Sequence, residues 1–403
     1  WYASYIETES SAQWLCPDYS GFNGRLYPRC EGGFRLTVYK RGFDTPKWFR
    51  RSVMYQIFPD RFCSGKGKTK YAPDAECVKK WNGTAVQHAH FRGEAVKNNQ
   101  FFGGNLWGII EKLPYLASLG VSVIYLNPIF AAKSNHKYDT ADYMKVDDGF
   151  GGEAALDHLI EAATARGIHI VLDGVFNHTG DDSRYFNRRE NYPDVGAYQS
   201  KESPFAKWYS FSDFPKKYEA WWGIEIMPRL NHKNPECRRY FTGVGGITEK
   251  WLLAGADGWR LDVADELPDK FLDKLRTAIK SENPDAYILG EVWEDASNKI
   301  SYGARRKFLR GSQLDSVMNY PWRKGIMRFV IDGDAEFLSD VLESIYSTYP
   351  KTVCDSLMNI LGTHDTERAI TLLAGEESHG RGREWQAKTV LTEEQRSRGV
   401  RLM

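Results

Sequence analysis

The feature that most constrains this chain is a regular alternation of short, almost uninterrupted apolar runs with amphipathic stretches. The runs VMYQIFP (53–59), VSVIYLNPI (121–129), IHIVLDGVF (168–176), ADGWRLDVA (256–264), AYILGEVW (286–293), QLDSVMNY (313–320) and SLMNILGTH (356–364) have the length and the β-branched or aromatic content of strands. Between them NLWGIIEKLPYLASLG (105–120), EAALDHLIEAATARG (153–167), a helix within 235–255, DKFLDKLRTAIKSEN (269–283) and a region across 322–350 read as helical. Gly120, Gly167 and Gly255 stand where C-terminal caps are expected. Strands that are apolar on both faces and separated by helices predict a parallel sheet covered by helices. Repeats in this number predict an α/β chain folded as a (β/α)8 TIM barrel rather than an open sheet.

Three segments break the rhythm. From Asn177 to Asn234 the chain is loop-like and rich in aromatics, proline and charge, so residues 177–234 are expected to form a subdomain inserted after barrel strand 3. After the seventh strand, REWQAKTVLTEEQRSRGVRLM (383–403) reads as the start of the following helix, and the sequence stops before an eighth strand. The barrel, 48–403, is therefore expected to be incomplete and inactive by itself, with open edges. Residues 1–47, including NGRLYPRCEGGFRLTVYKRGFDTP, alternate as β structure and then meet a proline-containing joint outside the barrel pattern.

Composition removes several classes of function. Lys and Arg total 54 against 53 Asp and Glu, so no net field draws the chain to nucleic acid or an anionic membrane, and no stretch approaches the apolar length of a membrane span. The chain opens WYASYIETES, with no initiator methionine and no signal region. Six cysteines form no CxxC pair and no Cys/His cluster, which argues against zinc or a disulfide scaffold and for free thiols in a reducing, cytoplasmic compartment. An aromatic share of 14%, with 13 Trp, exceeds ordinary usage; core packing accounts for most of it, and flat platforms for sugars are the functional alternative.

Chemistry on a barrel sits where strands end. Those ends carry Asp173, Asn177 and His178 after the third strand, Arg260 and Asp262 on the fourth, Glu291 on the fifth, and His364 with Asp365 on the seventh. A lone strand-end carboxylate is more often a cap. A shared rim of carboxylates, an arginine and two histidines is different, because burial and mutual repulsion must separate their pKa values, as a pair of acids needs for glycoside hydrolysis.

DGVFNH (173–178), GWRLDVADE (258–266), EVW (291–293) and GTHDTER (362–368) resemble, in order and spacing, the four short conserved regions of the α-amylase family of glycoside hydrolases (family 13). MPRLN (227–231), with YQIFPDRF (55–62), FFGGNLWGI (101–109) and SNHKYDTADY (134–143), is similar to its neopullulanase, cyclomaltodextrinase and maltogenic amylase subgroup. The resemblance implies a retaining hydrolase of α-1,4 or α-1,6 glucosidic bonds in maltooligosaccharides, cyclodextrins or pullulan. It assigns Asp262 as nucleophile, kept ionised by Arg260, Glu291 as general acid and base, and Asp365 as the group that grips the sugar hydroxyls. His178 and His364 would hydrogen-bond the sugar, Tyr138 would stack on it, and Asp173 and Asn177 would hold the site together. An exo-acting α-glucosidase or a transglycosylase is the alternative, and a non-catalytic sugar-binding barrel a remote one. The resemblance also likens residues 1–47 to the tail of an N-terminal β-sandwich, carbohydrate-binding-like domain that lines a neighbouring subunit's cleft in relatives, which leaves a homodimer open for a full-length form. No cofactor is expected. Relatives place oxygen ligands for calcium after FPDRF and often Asp at position 105, whereas this chain has CSGKGKTK and Asn105, and three lysines oppose a hard cation.

Overall fold

The structure is a computed structural model that describes residues 1–18, 21, 23–91, 94–375 and 383–403. It comprises two compact units, built from the described residues of Pro46–Glu291 with Ser378–Val390, and of Trp1–Thr45, Val292–Glu377 and Leu391–Met403.

In the larger unit five strands, β1 (Met54–Ile57), β2 (Val123–Leu126), β3 (His169–Gly174), β4 (Gly258–Leu261) and β5 (Tyr287–Gly290), run parallel and pair in chain order. All residues of β2, β4 and β5 are buried, which is why these runs lack the polar alternation of a half-exposed strand. Helix α1 (Leu106–Ser118) joins β1 to β2, and α2 (Gly152–Thr164) joins β2 to β3. Next come α3 (Pro235–Thr242) and α4 (Ile247–Leu253), then α5 (Asp269–Glu282) between β4 and β5. Each helix buries one stripe: Leu106, Ile109, Leu113 and Leu116 on α1, and Phe271, Leu272, Leu275 and Ile279 on α5. Full burial of each such side chain stabilises by about 1.5–3 kcal/mol. The single helix read within 235–255 is two helices, because GVGG (243–246) interrupts it with Gly245 at φ +72°.

The chain leaving β1 lies directly on the first turn of α1. A Cβ on Gly104 would stand 2.0 Å from the Pro59 carbonyl oxygen, and one on Gly108 would stand 2.0 Å from that of Cys63, so both positions require glycine for close approach. The insert after β3 contains a short antiparallel pair, Phe211–Asp213 with Lys217–Tyr218, packed on the aromatic rings of Phe186 and Tyr198.

The smaller unit contains the parallel pair β6 (Ser316–Asn319) and β7 (Met358–Asn359), with α6 (Tyr320–Asp332) and α7 (Ala335–Thr348) between them. Residues 1–45 belong to this unit, as an antiparallel sheet of Ser4–Glu7, Ala12–Pro17 and Gly24–Tyr27 followed by an extended segment. That segment is fastened by the Lys40 N–H donating to Arg310 O and by the Thr45 hydroxyl donating to Thr352 O, both at 3.0 Å. The C-terminal stretch forms helices Arg383–Lys388 and Glu393–Leu402, the second opened by a capping box between Thr392 and Gln395. The observed strands β1 to β7 fall one within each of the seven apolar runs. The cysteines are all free thiols, and among the described residues no helix is long and apolar enough to cross a membrane.

Candidate active site

Parallel register places Asp173 of β3 directly beside Arg260 of β4, and Leu261 beside Gly290 of β5, so the next residues, Asp262 and Glu291, leave adjacent strand ends together. Arg260 is fully buried, and its guanidinium is the centre of the cluster. Nη1 donates to Asp173 Oδ1 at 3.0 Å and to Asp262 Oδ1 at 2.8 Å, while Nη2 makes an ion pair with Glu291 Oε2 at 2.9 Å. One buried cation thus holds three carboxylates that would otherwise repel each other in a low-dielectric setting.

The network continues toward β1. Asp173 Oδ2 accepts from the hydroxyls of Tyr125 and, at 3.1 Å, Tyr138. The Tyr138 oxygen accepts from Asn127 Nδ2 at 3.0 Å, and Asn127 Oδ1 accepts from Gln56 Nε2 at 2.9 Å. Each of β1 to β5 therefore contributes a polar group at or near its C-terminal end. Tyr125, Asn127 and Gln56 were missed by the sequence reading; a hydroxyl-bearing ring inside the aliphatic run VSVIYL was the available signal for the first.

Val263, the residue after Asp262, has φ 39° and ψ 51°, a left-handed conformation that a β-branched side chain rarely adopts. In that conformation its N–H donates to Glu291 Oε2 at 2.8 Å. Strain of this kind costs about 1–3 kcal/mol and is retained where the surroundings fix it.

Burial pushes the Asp262 carboxyl well above the usual aspartate range; the Arg260 charge pulls it down, and Glu291 and Asp173 push it up again. Burial also lowers the His178 imidazole to about 4, so it is neutral at physiological pH. Its buried Nε2 makes no hydrogen bond of ordinary geometry among the described residues, and the Tyr138 backbone interacts with the ring. Asn177 lies beside it, Nδ2 at 3.4 Å from His178 Nδ1, and the Asn177 carbonyl accepts from the Leu230 N–H of MPRLN at 2.9 Å. Asp173, Asn177, His178, Tyr138, Arg260, Asp262 and Glu291 thus all lie at the strand ends of the larger unit. His364 and Asp365 follow β7 in the smaller unit, with His364 Nε2 at 3.1 Å from Asp365 Oδ2.

Asn105 caps α1. Its Oδ1 accepts from Gly108 N at 2.9 Å and Gly65 N at 3.1 Å, and its Nδ2 donates to Gly103 O at 3.3 Å. Both ends of the amide are thus bound to backbone. Among the described residues, no group of three or more His, Cys, Asp or Glu side chains could hold a metal ion.

Comparison with known proteins gives one consistent answer. The family profile described as alpha amylase, catalytic domain, matches residues 56–402. Amylopullulanase of Thermoanaerobacterium saccharolyticum is 40% identical over 398 residues, which span 88% of this chain and 30% of that protein. Neopullulanase 2 of Thermoactinomyces vulgaris is 38% identical over 373 residues, spanning 89% of this chain and 58% of that protein. The chain thus spans between about a third and three fifths of the length of these relatives. Among solved structures, the cyclic alpha-maltosyl-(1→6)-maltose hydrolase from Arthrobacter globiformis superposes with a TM-score of 0.71 at 33% identity, covering 83% of this chain and 70% of that one.

Proposed function

The chain belongs to the alpha-amylase family of glycoside hydrolases, with the (β/α)8 barrel of that family and relatives named neopullulanase, cyclomaltodextrinase and maltogenic alpha-amylase, and we propose that it is a retaining hydrolase of α-glucosidic bonds in α-glucan oligosaccharides. The observation that carries this reading is the buried Arg260 with Asp173, Asp262 and Glu291 gathered on its guanidinium.

In this reading Arg260 occupies Asp262 Oδ1, so the other carboxylate oxygen attacks the anomeric carbon. The glycosidic C–O bond breaks as Glu291 delivers its proton to the departing oxygen, leaving a glycosyl–Asp262 ester. Water then adds to the anomeric carbon, Glu291 takes its proton, and the ester bond breaks; two inversions give net retention. Arg260 and the strained Val263 N–H both point at Glu291 Oε2 and fix the carboxyl for both transfers. His178 binds a hydroxyl of the ring being cleaved, and Tyr138 stacks on it. Asp173 and Asn177 keep Arg260 and His178 in place. The names of the relatives, which speak of pullulan and cyclomaltodextrin, support α-1,4-linked glucans, with α-1,6 branch points as a second linkage.

The test is a time-resolved NMR assay of the full-length protein on maltotriose, β-cyclodextrin and pullulan. Product in the α-anomeric form before mutarotation is expected. Initial release of β-anomer, or no cleavage of any of the three, would overturn the assignment.

A further inference from the structure

The sheet at the start of the chain brings together two thiols that the chemistry above does not use. Cys16 stands on its middle strand, Ala12–Pro17, which pairs on one side with Ser4–Glu7 and on the other with Gly24–Tyr27. Cys30 follows the last of these strands. The two sulfurs are 3.9 Å apart, with the Cys16 thiol donating to Cys30 Sγ, and the Cys30 thiol donates in turn to Gly32 O at 3.3 Å. The Cys30 sulfur thus turns its proton away from Cys16 and a lone pair toward it. Among the described residues the other four cysteines, Cys63, Cys77, Cys237 and Cys354, have no such sulfur partner.

The two thiols differ in access. Cys16 is fully buried and is the one buried residue of its three strands, whereas Cys30 is exposed. A dissolved oxidant therefore meets Cys30 first, and the sulfur within reach of Cys16 is that of Cys30. A disulfide needs its sulfurs about 2.05 Å apart, a gap that rotations of two side chains already in contact can close. Beyond Cys30 the chain bridges Phe34 to Tyr2, with N–H to oxygen distances of 2.7 and 3.0 Å, and is then anchored by Arg35, which pairs with Asp295 and donates to Ser344 Oγ at 3.2 Å. A bond between residues 14 positions apart would tie the middle strand to that anchored segment and take conformational freedom from the opened sheet.

We propose that Cys16 and Cys30 are a redox-sensitive pair, oxidised by low-molecular-weight disulfides such as glutathione disulfide. The Cys30 thiolate attacks the small disulfide, forming a mixed disulfide and expelling one thiol. Cys16 then attacks the Cys30 sulfur and expels the second. The protein loses two electrons and two protons, and the reagent leaves as two thiols; excess thiol reverses both steps. Cys30 takes up the oxidant and Cys16 resolves it, so the sheet is stapled when oxidised and freer to open when reduced.

The experiment incubates full-length protein with glutathione disulfide, blocks the remaining thiols and digests with trypsin, which cuts between the two cysteines at Arg25 and Arg29. The expected species joins the Cys16 peptide to Cys30–Arg35, is lighter than the two together by two hydrogen atoms, and is split by dithiothreitol. Cys16→Ala should stop at a glutathione adduct on Cys30, and Cys30→Ser should leave Cys16 unmodified in the folded protein. Hydrogen exchange of the Ala12–Pro17 amides should slow roughly tenfold on oxidation of the parent. Absence of the joined peptide from the parent protein, a joined peptide with unchanged exchange, or a glutathione adduct on Cys16 in folded Cys30→Ser overturns the switch.

Discussion

Two groups of three carboxylates lie in the larger unit, and they differ in where their cations stand. Asp173, Asp262 and Glu291 share a fully buried guanidinium. Asp139, Asp181 and Asp182 are also buried, but their cations approach from outside: Arg189, 55% exposed, reaches Asp181 Oδ2 at 3.0 Å, and Arg188 reaches it at 3.7 Å. Burial, then Asp139 and Asp181, push the Asp182 carboxyl up to about 7. A density of acids is thus no sign of chemistry. What separates the groups is a buried counter-charge that fixes where each carboxylate stands.

The largest effect that would break this contrast is on turnover. Asp262→Asn in the full-length protein should lower kcat by about 10⁴-fold or more, and Asp182→Asn should leave kcat/KM within about twofold. Glu291→Gln should cost about 10²–10⁴-fold on maltooligosaccharides and much less on aryl glycosides, whose leaving groups need no proton. Comparable activity in Asp262→Asn and Asp182→Asn would erase the distinction.

A smaller effect is on stability. Arg260→Met leaves three carboxylates without their cation and should destabilise by about 3–5 kcal/mol in chemical denaturation at pH 7, with partial recovery at lower pH as the carboxyls take up protons. Arg189→Ala removes a half-solvated partner and should cost less than about 1 kcal/mol. Similar losses in the two variants would show that the position of the cation does not matter.

The smallest effect is in the pH dependence of melting. The folded Asp182 carboxyl lies above its unfolded value, so its stabilising contribution is complete below pH about 4 and is lost as pH rises through about 7. Asp182→Asn should therefore melt on the order of 2 °C above the parent at pH 8 and level with it near pH 4. A gain that is larger at low pH would reverse the sign and refute the account of the second cluster.

The contrast also explains which parts of the site could be read in the sequence. Asp173, Arg260, Asp262 and Glu291 were legible because they interrupt or end apolar strand runs, where the pattern asks for Val or Leu. Parallel register then does the rest, setting Asp173 against Arg260. Trp221, Trp222 and Glu266 were illegible because loops have no periodicity: the joint hydrogen bonds of the two indoles depend on a left-handed Trp222 and on where a 3₁₀ turn carries Glu266. Asn127 and Gln56 stand inside apolar runs with no pattern to mark them, and their place in the network appears only when Tyr138 is set between Asn127 and Asp173. Helix existence was legible, but continuity was not. The break between α3 and α4 sits in GVGG, and that between α6 and α7 at Gly333, φ +74°, with Asp334 capping the second helix.

The contact between Pro59–Cys63 and the start of α1 sets where this chain tolerates change in length. With the Pro59 and Cys63 carbonyls against Gly104 and Gly108, an inserted or deleted residue between them would slide an oxygen onto the wrong α-carbon. The loop is pinned again where Glu76–Cys77 pairs with Gln100–Phe101. Between those anchors Lys79 to Gly83 are exposed, so lineages of this sequence should gather their insertions there, and a peptide tag placed there should leave the strand ends undisturbed.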